Sequence, residues 1–134
     1  MSRQTIAQQR AAHALEKINE YKNGDGDAQK RFNSYVTSFG PMILMNGFGQ
    51  AAAFYLANNK SEHRDVLDML DGWLTGKGRP LHGVAGDHLV DRIVNLDVHG
   101  YRLAQAEALA YLDWLKKFAK AFLASDGDEN GGGQ

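Results

Sequence analysis

The strongest constraint on the fold of this chain is a helical spacing of apolar residues, which continues along nearly the whole sequence. Apolar side chains recur at steps of three and four residues, the spacing of amphipathic helices. No stretch alternates apolar and polar residues as a half-buried strand does, and no internal repeat is found. Since 43% of the 134 residues are hydrophobic, one sizeable core can form. We therefore predict an all-α fold, a compact single-domain bundle of about five to seven helices.

Turn residues divide the first half of the chain. A first amphipathic helix, residues 6–21, ends at the loop 23–27, which is rich in Asn, Asp and Gly. Asp27 is predicted to cap the second helix. Gly40-Pro41 is predicted to bend or restart that helix, because proline suits a first turn better than a helix interior.

The second half divides in the same way. Gly47 is predicted to separate a short helix from a longer one that ends near Asn58. Ser61 is predicted to be the N-cap of the next helix. The glycine-rich segment 75–87 is predicted to be a loop, followed by a short helix and then by the longest helix, from about residue 98 to 123.

Aromatic and leucine side chains on the apolar faces of the later helices are predicted to be structural. They are spaced as core residues are, and a core position explains them without any ligand. These residues are Trp73, Trp114, Leu115 and Phe118.

Charge separates the body of the chain from its last residues. The chain carries 15 basic and 16 acidic residues, for a net charge of −1. The ten residues 125–134 hold three of the acids and no base, so the rest has a net charge of +2. We predict a helical domain over residues 1–124 and an acidic, glycine-rich, disordered tail over residues 125–134. Such a balance excludes a free-standing, strongly basic nucleic-acid-binding protein.

The sequence contains no recognisable catalytic constellation. The absence of cysteine excludes disulfides, thiol catalysis and cysteine-ligated metal sites. No Gly-x-Ser-x-Gly elbow and no complete phosphate-binding loop occur. We predict no catalytic residue, no metal site and no cofactor. A metal hydrolase using His88, Asp91 and His99 is kept as a minor alternative, although surface positions explain these residues adequately.

No apolar run approaches the roughly 20 residues of a membrane span. The first residues, MSRQTIAQQR, lack the apolar region of a secretory signal. We therefore expect a cytoplasmic protein that does not associate with a membrane.

Basic residues off the apolar face of the last helix are the most informative polar feature. A solvated surface would explain them, and a weak phosphate-binding surface is the alternative. Our RNA-binding candidates are, first, Arg102, Lys116, Lys117 and Lys120, and second, Lys30 and Arg31.

Three ordered segments resemble a known family. They are residues 39–56, FGPMILMNGFGQAAAFYL, residues 68–74, DMLDGWL, and residues 101–121, YRLAQAEALAYLDWLKKFAKA. The pattern is a proline and apolar residues before Asn46-Gly47 and an alanine-rich helix, then a long helix that begins Tyr101-Arg102. Together they resemble the small α-helical subunit, the fifth Cmr protein, of the type III-B CRISPR Cmr RNA-silencing effector complex.

This resemblance implies a noncatalytic subunit that stacks in several copies along the guide–target groove. Its partners would be the other Cmr subunits, further copies of itself in a filament, and the guide and target RNA. It would contact the target RNA backbone in antiviral defence, while sequence specificity would come from guide pairing. The alternative function is a small helical dimer that acts as an interaction or ligand-binding protein.

Overall fold

Six helices form the part of the protein that the structure describes. The computed structural model describes residues 3–58 and 60–125, and the secondary structure of these residues contains no strand. The helices are α1 (Ile6–Tyr21), α2 (Gly26–Asn46), α3 (Phe48–Ala57), α4 (Ser61–Leu74), α5 (Leu89–Val94) and α6 (Val98–Phe122). The predicted all-α class and the predicted number of helices are thus confirmed.

Helix α6 is the longest element and lies at the centre of the packing. It contacts α1, α2 and α4, while α3 packs against α2, α4 and α5. Its buried positions recur at three- and four-residue steps, as the apolar spacing predicts. They are Ala104, Ala108, Tyr111, Leu112, Leu115 and Ala119.

At Gly40-Pro41 we predicted a bend or a restart of the helix, and the restart is wrong, because α2 continues through Pro41. Proline inside a helix removes one backbone hydrogen bond and costs about 3 kcal/mol. Phe39 and Ile43, on either side of Pro41, are both fully buried. The free energy gained by burying these two side chains outweighs the local cost of the proline. Helix α2 therefore continues where Gly40-Pro41 alone predicted a break.

Two predicted helix caps are also wrong. Asp25, not Asp27, is the N-cap of α2, and its carboxylate accepts a hydrogen bond from the backbone N–H of Ala28. Asp27 lies instead in the first turn of α2, where its carboxylate interacts favourably with the positive end of the helix dipole. Ser61 is the first residue of α4, and Lys60 occupies the cap position without a side-chain hydrogen bond.

Gly47 separates α2 from α3, as predicted, although the helix before it is the end of α2 and not a short separate one. Its φ of 89° lies in the left-handed region, where glycine is favoured. A Cβ atom there would also stand 3.3 Å from the Tyr101 hydroxyl. Both the turn and the close approach of α6 therefore require glycine.

The four residues predicted to be structural differ in burial. Trp73 and Leu115 are buried, whereas Trp114 and Phe118 are partly buried and pack against the core from its edge. Trp114 and Phe118 contact each other, with ring centroids 5.6 Å apart.

A polar network joins α1, α4 and α6 beside the core. Glu107 on α6 accepts two hydrogen bonds from the Arg10 guanidinium and one, of 2.9 Å, from Trp73 Nε1. Burial alone would raise the pKa of the Glu107 carboxyl, but the hydrogen bonds from Arg10 and Trp73 bring it below its usual value. His13 and Tyr111 form a further hydrogen bond of 2.7 Å between α1 and α6. These contacts fix α1 and α4 on the side of α6 that α2 leaves uncovered.

His63 is a buried histidine at the junction of three helices. The residue is 7% exposed, and its ring stacks on Tyr35 of α2 at 3.6 Å between centroids and meets Tyr55 of α3 edge-on. Within residues 3–58 and 60–125, its Nδ1 atom has no hydrogen-bond partner. Burial lowers the pKa of His63, because the charged ring would lose its hydration.

We expect this histidine to make stability depend on pH. In the unfolded chain, His63 binds a proton as pH falls through about 6.5, whereas in the folded chain it resists protonation. The contribution of His63 to the free energy of unfolding is therefore complete above that pH and decreases as pH falls below it. The His63→Phe variant keeps the aromatic stack and cannot titrate. Thermal unfolding between about pH 8 and pH 5 should therefore show a flatter pH dependence for the variant. Identical slopes would contradict this prediction.

In the part of the chain that the structure describes, none of the helices combines the length and apolar character of a membrane span. The predicted domain boundary follows the end of α6. Residues 126–134 lie outside the described residues, so the predicted disorder of the tail remains a prediction.

Candidate nucleic-acid interface

A groove between α2 and α6 collects three of the basic residues that the sequence singled out. It consists of two adjoining cavities of about 440 and 230 Å³, both of which Thr37 lines. We call it the α2–α6 groove. The first cavity is lined by Lys30, Asn33, Ser34, Thr37, Ser38, Lys120 and Ser125, and the second includes Pro41, Leu44, Leu109, Asp113 and Lys116.

The end of α6 is fastened to α2 on one side of this groove. The buried Asn33 side chain donates hydrogen bonds to the carbonyls of Ala119 and Ala124, at 3.0 and 3.2 Å. The Gln29 side chain accepts a 2.9 Å hydrogen bond from the backbone N–H of Ala124. Since α6 ends at Phe122, these bonds give partners to the backbone groups of Ala124, which lie beyond the helix, while the Ala119 carbonyl also accepts a hydrogen bond from the backbone N–H of Leu123. They also hold Lys120 in a fixed position relative to α2.

Lys116 and Lys120 are four residues apart on α6 and therefore lie on the same side of the helix. Asp113 lies one turn before Lys116, and its carboxylate is 3.9 Å from Lys116 Nζ and 2.9 Å from Lys117 Nζ. Exposed pairs of this kind contribute little to stability and are screened by salt. Lys116 can therefore exchange this carboxylate for a phosphate at small cost.

The other candidate residues have different positions. Arg102 lies on the same line of α6 as Lys120, but five turns and about 27 Å away along the axis. Lys117 is exposed and does not line either cavity of the groove, and its ammonium donates a 2.9 Å hydrogen bond to the Asp113 carboxylate. Arg31 faces α4, where its guanidinium forms two hydrogen bonds with the Glu62 carboxylate, at 3.0 and 3.3 Å. RNA contact by these three residues stays a prediction, and we expect the smallest contribution from Arg31.

Hydroxyl groups in the groove were missed by the sequence reasoning. Ser34, Thr37 and Ser38 lie beside Lys30 and Lys120, and the Ser34 and Ser38 hydroxyls can donate hydrogen bonds to oxyanions. The Thr37 hydroxyl already donates a 2.7 Å hydrogen bond to the Asn33 carbonyl. The available signal was spacing, since positions 30, 34, 37, 38 and 41 share one side of α2 next to its apolar stripe.

Four of the exposed apolar residues lie at the opposite end of α6 from Lys120, whereas Phe122, which is 47% exposed, lies two residues from it. Leu44 and Met45, at the end of α2, are 71% and 83% exposed, and Val94 and Val98 are 68% and 69% exposed. Tyr101 connects the start of α6 to the start of α3 at this end, because its hydroxyl accepts a 3.0 Å hydrogen bond from the backbone N–H of Gly49. Large exposed apolar side chains at one end of a small domain are typical of an association surface.

The residues of the minor metal-site alternative have structural surroundings. The Asp91 carboxylate accepts a 3.0 Å hydrogen bond from the backbone N–H of His88 and so caps α5. His99 belongs to the first turn of α6. Over residues 3–58 and 60–125, no group of three or more His, Asp or Glu side chains is placed to hold a metal ion.

Comparisons with known proteins agree with the architecture. A family profile described as CRISPR-associated protein (Cas_Cmr5) matches residues 6–122, from the start of α1 to the end of α6. A solved structure of a CRISPR-associated Cmr5 family protein from Thermus thermophilus is similar in fold, with a TM-score of 0.74 and 24% sequence identity. The match covers 90% of this chain and 98% of that one.

Proposed function

Because this chain belongs to the Cmr5 family of CRISPR-associated proteins, we propose that it is a noncatalytic structural subunit of the type III-B Cmr RNA-silencing complex. In this function several copies stack along the guide–target groove and contact the backbone of the target RNA. Contacts to phosphates carry no sequence information, so guide pairing supplies the specificity. The protein works in the cytoplasm, in antiviral defence, with the other Cmr subunits as its partners.

The observation that carries the RNA contact is the composition of the α2–α6 groove. Lys30, Lys116 and Lys120 line it together with hydroxyl groups that can donate hydrogen bonds to phosphate oxygens. Since the body of the chain has a net charge of only +2, one copy neutralises few phosphates and binds RNA weakly. Several linked copies raise the effective concentration and give tight binding without any new contact. Because one copy binds RNA weakly, tight binding of the target requires that several copies stack along it.

Stacking itself is supported by the exposed apolar end. Leu44, Met45, Val94 and Val98 would be removed from water when another subunit covers them. This end and the Lys120 end of the groove lie at opposite ends of α6, so a neighbouring subunit can bind at the first without covering Lys120, although Leu44 also lines the second cavity of the groove.

We expect no nuclease, nucleotidase or phosphatase activity from the isolated protein, with or without divalent cations. Cysteine is absent from the sequence, and the His88–Asp91 pair caps a helix. Hydrolysis assays on single-stranded RNA, a nucleoside triphosphate and a phosphate monoester test this expectation. Turnover that is lost in the His88→Ala or Asp91→Ala variant would contradict it.

Reconstitution tests the assignment as a whole. The protein is mixed with the other Cmr subunits and guide RNA, and the native mass of the assembly is measured. We expect a complex that contains more than one copy of this chain, and fewer copies after Met45→Glu and Val98→Glu substitution. A complex that assembles fully without this chain would contradict the proposed function, and a stable dimer that ignores the Cmr subunits would support the alternative.

A further inference from the structure

The α2–α6 groove leads directly to an acidic segment of the chain. Ser125, the last described residue, lines the same cavity as Lys30 and Lys120. Residues 126–134, here called the acidic segment, follow it with the sequence DGDENGGGQ. Three carboxylates, Asp126, Asp128 and Glu129, thus fall within four residues of the groove wall, and the segment has no basic residue.

These carboxylates can reach the lysines. Four residues span at most about 14 Å, which is enough to cross a cavity of about 440 Å³ from Ser125. The position of Ser125 is fixed because the neighbouring Ala124 is hydrogen-bonded to Gln29 and Asn33. The acidic segment therefore starts from a defined point at the groove and not from a freely moving end.

The charges of the two partners are complementary. The body of the chain carries a net charge of +2, and the acidic segment carries −3. A carboxylate and a phosphate oxygen accept hydrogen bonds from the same donors, namely lysine ammonium and serine or threonine hydroxyl groups. A short covalent connection also gives the segment an effective concentration in the millimolar range. At such an effective concentration, even contacts with a dissociation constant of about a millimolar are half occupied.

We propose that the acidic segment binds in the α2–α6 groove between Lys30 and Lys120, and that RNA phosphates must displace it. The competition makes a single copy a poor RNA ligand, whereas RNA presented by the assembled complex displaces the segment. The part concerning RNA rests on the proposed function, but binding of the segment in the groove does not.

A spin label tests the intramolecular contact. Since the chain has no cysteine, Gly132→Cys supplies a unique labelling site in the full chain. We expect a nitroxide there to broaden the amide signals of Ser34, Thr37 and Ser38 at low salt. The broadening should fall near 1 M salt, where the screening length is about 3 Å.

Two charge-reversal pairs supply the matched control. K30E/K120E removes the groove lysines, while K60E/R64E makes the same change of charge at two exposed residues near the start of α4. The broadening should weaken clearly in the first variant, where only the tether at Ser125 keeps the label nearby, and should be unchanged in the second. The inference would be overturned if the groove amides were not broadened in the unchanged chain, or were broadened equally in both variants.

RNA binding tests the competition separately. D126N/D128N/E129Q should raise the affinity of the full chain for a single-stranded RNA oligonucleotide by about three- to tenfold at low salt, since each ion pair at a protein surface contributes modestly. This gain should vanish in the K30E/K120E background. RNA that binds without reducing the spin-label broadening would overturn the competition. If RNA bound neither the unchanged chain nor D126N/D128N/E129Q, the proposed function would be contradicted. The contact between the acidic segment and the groove would then be decided by the spin-label result alone.

Discussion

Replacing Phe39 by alanine is expected to lower the free energy of unfolding by about 3–5 kcal/mol. The ring is 0% exposed and packs against Tyr55 with centroids 4.5 Å apart. Removing it leaves a cavity where α2 packs against α3, two residues before Pro41. The loss should be large because the neighbouring turn already lacks one backbone hydrogen bond and depends on this packing.

Chemical unfolding, followed by helical circular dichroism, measures the effect. Phe118→Ala is the matched control, because the same ring is removed from a partly buried position on α6. We expect a clearly smaller loss for Phe118, since part of its surface is already in contact with water. Equal losses for the two variants would mean that the packing of α2 around Pro41 is not as described.

Reversing Lys116 and Lys120 to glutamate is expected to weaken target-RNA binding by the assembled complex about 100-fold or more at low salt. Each copy loses two favourable contacts and gains two repulsive ones, and the loss recurs in every copy along the RNA. Folding should be unaffected, because both side chains lie outside the core.

Binding at a series of salt concentrations measures this effect, and each lost phosphate contact should reduce the salt slope by about 0.7–0.9. Asp113→Asn is an opposing control, because it releases Lys116 and should strengthen binding. K60E/R64E has the same change of charge away from the groove. If K60E/R64E weakened binding as much as the reversal of Lys116 and Lys120, the weaker binding would result from the change in net charge and not from the loss of groove contacts.

The helical spacing of apolar residues was enough to predict the fold class and most helix bounds. The predictions failed where tertiary packing competes with a local signal. Pro41 favours a break locally, but burial of Phe39 and Ile43 keeps α2 continuous. Phe118 has the spacing of a core residue, yet it lies at the edge of the buried stripe, which spacing alone could not distinguish.

The candidate site was predictable in part. Lys116 and Lys120 share a side of α6 by spacing, whereas their meeting with Lys30 depends on how α2 packs against α6. The ion pair between Arg31 and Glu62 joins two helices that are distant in sequence, and no local pattern encodes it. The contacts of Glu107 with Arg10 and Trp73 were missed for the same reason.

Crosslinking of target RNA in the assembled complex is the decisive test of RNA contact through the α2–α6 groove. Target RNA carrying a photoreactive nucleotide is bound to the reconstituted complex, irradiated, and the attached peptides of this chain are identified by mass spectrometry. We expect crosslinks in residues 30–41 of α2 and residues 109–120 of α6, the two walls of the groove. Crosslinks confined to other subunits, or to the acidic side of α4 at residues 62–71, would contradict this function of the groove.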